Sequence, residues 1–154
     1  MKYRNTILIN NKEYELFGEP LKAYNGFTIN KPGADVVSVS PLTDEYYADW
    51  LLRGDQLYLC DFAGYDFKQK KNYDYPCFFG DRNIPFFAHW FCGEISVQEG
   101  EVIYTTFQKK DIRKYDFLMT FEKGKLMNTE MQDNTFRAGM LEILSRNTYI
   151  LISV

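Results

Sequence analysis

Three observations predict a mainly β chain: an antiparallel sheet, built as a meander, a partly closed barrel or a sandwich, with one C-terminal helix. Aromatic residues make up 18% of the 154 residues, with 12 Tyr and 13 Phe, and such side chains favour strands. Short apolar runs recur between Gly, Asn and Pro signals at hairpin spacing. Helical periodicity is convincing in one place, residues 134–147. The length fits one domain, residues 1–154.

Taken in order, residues 6–9 and 13–17 flank Asn10-Asn11-Lys12 and form a hairpin, because Asn tolerates the positive φ of tight turns. Gly18, Pro20, Gly26, Pro32 and Gly33 mark a loop, with Phe27 and Ile29 in a short strand. Val36, Val37 and Val39 give a β-branched run. Residues 46–52 and 56–62 are joined by Arg53-Gly54-Asp55, a hairpin link that also spells an integrin-binding tripeptide. The turn explains it. Residues 56–62 are apolar on both faces and read as a central, buried strand.

Residues 63–85 form the least regular stretch, a long loop in which Tyr65, Phe67, Tyr73, Tyr75, Phe78 and Phe79 interleave with lysines. Such loops often carry function. Residues 84–97, holding the only histidine, read as the strand on which the core closes. They echo an earlier segment: Tyr46-Tyr47-Ala48-Asp49-Trp50 aligns on Phe86-Phe87-Ala88-His89-Trp90. Two similar core strands follow, with Ala48, Trp50 and Leu52 on one face and Ala88, Trp90 and Cys92 on another. Asp49 and His89 would then share a hydrogen bond if the strands were adjacent.

Gln98-Glu99-Gly100 reads as a turn into residues 101–107, and the basic run 109–114 as a solvated loop. Tyr115, Phe117, Met119 and Phe121 alternate with Asp116, Leu118, Thr120 and Glu122, and Lys123-Gly124 turns this strand back into residues 125–131. Asn134 or Thr135 caps the helix, with Phe136, Met140, Leu141 and Leu144 on one face. Residues 149–152 read as a final strand.

The net charge of −3 is spread along the chain and leaves no basic footprint for nucleic acid. No apolar run approaches the roughly 20 residues of a membrane span, and the N-terminus lacks a signal-peptide core. Three cysteines, Cys60, Cys77 and Cys92, match no zinc spacing. Reduced, mostly buried thiols in a cytoplasm are expected. No hydrolase elbow, phosphate loop, dinucleotide fingerprint or zinc-protease motif occurs. No catalytic residue, metal site or cofactor is therefore assigned.

Trp50, Leu57-Tyr58-Leu59, Phe78-Phe79-Gly80, Phe87-Ala88-His89-Trp90-Phe91-Cys92-Gly93-Glu94 and Gly100-Glu101 together resemble the pattern of a family of small uncharacterised bacterial proteins. The resemblance spans residues 46–125. Gly80 stands where that family has Pro, and His89 where it has Asp. The resemblance implies a bacterial, β-rich cytoplasmic domain and no mechanism.

The leading expectation is a non-enzymatic binding protein, of immunity type for example, that captures a protein partner through Tyr65, Tyr73 and Tyr75. The alternatives are a small-ligand protein or enzyme with a pocket near His89, Glu94 and Asp49, and a structural module that pairs through an edge strand.

Overall fold

Two adjacent asparagines set the first turn. Asn10 and Asn11 have φ of 50° and 64°, the backbone of a type I′ hairpin. They join β1 (Tyr3–Ile9) to β2 (Lys12–Glu15). The structure is a computed structural model and describes residues 3–24, 28–29, 37–38, 45–67, 70–74 and 85–146. Tyr75, Cys77, Phe78, Phe79, Gly80 and the expected strand 149–152 lie outside the described residues.

A 3-10 turn (Pro20–Ala23) follows, then the two-residue strands β3 (Thr28–Ile29) and β4 (Val37–Ser38), which pair with each other. The main sheet adds β5 (Glu45–Arg53), β6 (Gln56–Asp66), β7 (Lys71–Asp74), β8 (Phe86–Phe87), β9 (Gly93–Thr105), β10 (Asp111–Glu122) and β11 (Lys125–Asp133). Its order is β2-β1-β5-β6-β11-β10-β9, with β7 and β8 also on β6. The mainly β expectation holds, with one correction. β1 runs parallel to β5, so the sheet is mixed, although its other described pairings are antiparallel.

The sheet is open. Its two edge strands approach where Phe17 and Ser96 exchange backbone hydrogen bonds of 2.8 and 2.9 Å. Beyond that bridge, Lys12 and Tyr14 of β2 donate side-chain hydrogen bonds to the Glu99 carboxylate of β9. These bonds, Lys12 first, hold Glu99 below the usual carboxylate range. A depressed carboxylate stabilises the fold above its unfolded pKa and loses that effect as pH falls through the folded one. The stability difference between the wild type and Glu99→Gln should therefore shrink on acidification and on adding salt. Urea unfolding at several pH values tests this, and a difference independent of pH would contradict it.

β6 is central, as its apolar sequence predicts, but it is buried on one face only: Tyr58 and Cys60 are half-buried and Asp61 is exposed. One side pairs with β5 throughout. The other is shared in turn by β7 at residues 63–66, β8 at Tyr58 and Leu59, and β11 at Gln56. Residues 63–66 thus extend β6 rather than open a long loop, and Lys70 (φ 50°) turns the chain into β7. Ile7, Ala48, Trp50, Leu57, Leu59 and Phe62 bury their side chains on one face, which burial of apolar area stabilises by roughly 25 cal/mol per Å².

The echo of β5 in residues 86–93 is not a second long strand. After β8, Ala88 to Cys92 form a turn, in which the His89 N–H donates to Phe87 O and the Phe91 N–H to Ala88 O. The two tryptophans nevertheless meet, with ring centroids 6.4 Å apart. Gly100 (φ 88°) is another correction. It sits in a bulge within the continuous strand β9 and does not end it. In β10 the expected alternation holds at Met119 and Phe121, which are buried between exposed Thr120 and Glu122. Residues 115–118 are all half-buried.

The helix α1 (Thr135–Arg146) forms where expected. Asn134 O accepts its first backbone bond from Ala138, and the Asp133 carboxylate takes the Thr135 N–H at 2.9 Å. Asn134 is buried, and its side-chain amide donates to Arg113 O. The helix's apolar stripe, however, turns outward: Phe136 is 80% exposed, and Ala138 is the buried residue. The small Ala138 side chain lets the helix lie close to β9, where the Tyr104 hydroxyl reaches Leu141 O.

Candidate functional site

In β5, Tyr46, Ala48 and Trp50 face the core, so Tyr47, Asp49 and Leu51 face outward. The registers of β1, β2, β6 and β7 extend this outward face into rows. Thr6, Asp49 and Asp61 lie side by side, as do Glu13, Leu8, Leu51 and Tyr58. Arg4, Tyr47 and Ala63 form the next row, and Glu45, Tyr65 and Asn72 the one beyond. Cys60 is the extra residue of a β-bulge, since Trp50 pairs with Leu59 and Asp49 with Asp61.

Three shallow grooves cross this face, one of them over β1 and β2 and lined by Arg4, Thr6, Glu13, Tyr14 and Glu15; the other two reach β5 and β6. One of about 240 Å³ is lined by Thr6, Leu8, Glu13, Asp49, Trp50, Leu51 and Cys60. The other, about 340 Å³, lies between the half-buried Tyr47 and Tyr65, where Ala63 and Gly64 leave room. Asp49 is the polar centre. It accepts the Thr6 hydroxyl, and a hydrogen bond to Asp49, with burial, raises the Tyr47 phenol above its ordinary pKa. Burial first, then the Asp49 charge, pushes the Cys60 thiol up. Asp61 accepts the Phe62 N–H at 2.8 Å. Opposed like charges such as Asp49 and Asp61 destabilise a strand pair.

The residues singled out in the sequence are placed apart. Tyr65 lies on this face, in edge contact with Phe67, at a centroid distance of 5.3 Å; Phe67 is half exposed. Tyr73 does not serve as an anchor: it pairs with Gly64 on the inward side and is 4% exposed. His89 is exposed in its turn against Phe86 and Trp90, and Glu94 is exposed on β9. Asp49 is held by Thr6 on the outward face, so the expected Asp49–His89 bond does not form. His89 and Glu94 line none of these grooves.

Cys60 is half-buried, whereas Cys92 is exposed, against the expectation of mostly buried thiols. Cys92 Sγ accepts the Lys123 N–H at 3.3 Å. Iodoacetamide at mildly alkaline pH should alkylate Cys92 well before Cys60. Peptide mass mapping reads the order, and equal rates would refute it.

Among the described residues no group of three or more His, Cys, Asp or Glu is placed to hold a metal ion, and no helix is long and apolar enough to cross a membrane. No protein-family profile, curated protein or solved structure matches the chain.

Proposed function

We propose that this chain is a non-enzymatic binding protein of a bacterial cytoplasm that captures a protein partner, an immunity protein that blocks a toxin being one concrete form. The observation that carries the reading is the outward face of β1, β5 and β6. It combines half-buried tyrosines, shallow grooves and hydrogen-bonding groups on a sheet. Tyrosine offers a large amphipathic contact at low entropic cost, which is why it recurs in protein interfaces. The separation of His89, Glu94 and Asp49 speaks against the pocket that an enzyme would build from them.

Immobilised wild-type chain should retain a discrete protein from an extract of its source organism. The double variant Tyr47→Ser/Tyr65→Ser should retain at most about a tenth as much. Undiminished retention would refute the assignment of this face.

A further inference from the structure

The groove of about 240 Å³ has a chemistry of its own. Its walls are apolar where Leu8 and Leu51 lie side by side in the parallel register. Glu13, paired with Leu8 across the hairpin, stands at one end, and Asp49 forms a side wall. Asp49 receives hydroxyl donors from Thr6 and Tyr47, which orient its carboxylate without neutralising it. Neither arginine of this face lines the groove: Arg53 lies over the Tyr58 ring at 5.5 Å, where its charge reaches Cys60, and Arg4 borders the tyrosine groove and, with Thr6 and Glu13, a further groove beside this one.

Apolar walls with a carboxylate at the side and another at the end match one kind of side chain. A long cationic residue lays its methylene stem on hydrocarbon and delivers its charge to carboxylate oxygens. Opposite Asp49, Asp61 adds negative potential to the same row. From the groove's shape and its charge complementarity, we propose that it receives an arginine or lysine side chain presented by a basic protein partner. This rests on the protein-capture reading and adds the partner's chemistry. The partner's surface would be basic, and its approach would be steered by charge.

The test uses the full chain, isotopically labelled, and a short blocked peptide with one central arginine, beside the same peptide with citrulline. Amide shifts should gather at Thr6, Leu8, Asp49, Leu51 and Cys60 with the arginine peptide. The apparent Kd should rise about fivefold or more with citrulline, with Asp49→Asn, or with Glu13→Gln. The side-chain amide introduced by Asp49→Asn keeps an oxygen that can accept the Thr6 hydroxyl, and the variant's amide spectrum reports that the fold is kept. Equal binding of the two peptides, shifts spread over all surface carboxylates, or no binding would overturn the slot.

The two readings fail separately. A captured protein that binds Asp49→Asn and wild type alike removes the slot and leaves capture standing. Selective arginine binding without any captured protein does the reverse.

Discussion

Among Gly18, Gly54, Gly93, Gly100, Gly124 and Gly139, Gly124→Ala is expected to be the most damaging change, costing at least about 4 kcal/mol. Gly124 has φ of 79° in the turn between β10 and β11. A Cβ there would lie 2.5 Å from Ala88 O and 2.9 Å from a ring carbon of Phe87. The obstacle is backbone, so no side-chain rotation relieves it. The residue is also a junction: its N–H donates to Phe91 O, and its carbonyl accepts from Leu57, both at 2.9 Å. Displacing it pulls β6, the turn after β8 and β11 apart together. Gly54→Ala is the internal control. It has a similar φ of 62° but open space around it, so only the left-handed backbone cost of about 1 kcal/mol applies. Urea unfolding of the two variants decides it, and similar losses would refute the junction argument.

Trp50→Ala should cost about 3–5 kcal/mol, the range for removing a large aromatic from a packed core. Trp50 is 2% exposed, and its indole N–H donates at 3.1 Å to the side-chain Oδ1 of Asn5. Asn5 is itself buried, and its amide group reaches Gly18 O and the Tyr46 hydroxyl, each at 3.4 Å. Trp50→Phe separates packing from polarity. It keeps an aromatic ring but leaves the Asn5 oxygen without that donor, a loss of about 1–3 kcal/mol. A Phe variant as stable as wild type would show that the buried amide does not depend on the indole.

What was legible in the sequence was local. The turns at Asn10-Asn11, Gly54 and Lys123-Gly124 demand positive φ, and Asn and Gly announce that demand. The helix was legible from its period, but not the side it would bury, because that depends on the shape of the sheet at β9 and β10. The parallel pairing of β1 with β5 joins segments far apart in the chain and leaves no local mark. The echo around Trp90 misled for a physical reason. Trp50 and Trp90 meet at 6.4 Å and so share packing demands, yet one comes from a strand and the other from a turn.

The candidate face was partly legible. Alternation in β5 put Asp49 on the face opposite Ala48, Trp50 and Leu52 from the sequence alone; that this face is the outward one, shared with Tyr65, came from the structure. Tyr73 went the other way because the turn through Lys70 brings it opposite Gly64, and one residue of register exchanges the faces of a strand. The bulge at Cys60, which shapes the groove beside Asp49, has no signature in composition.

Site-specific photo-crosslinking on the full chain tests the docking face most directly. A benzophenone amino acid would replace Tyr65 on the outward face or, as the control, the exposed Glu130 of β11, which pairs with Leu118 of β10. In an extract of the source organism, the account predicts one discrete protein adduct from position 65 and none from position 130. Equal labelling from both positions, or adducts from position 130 alone, would contradict it.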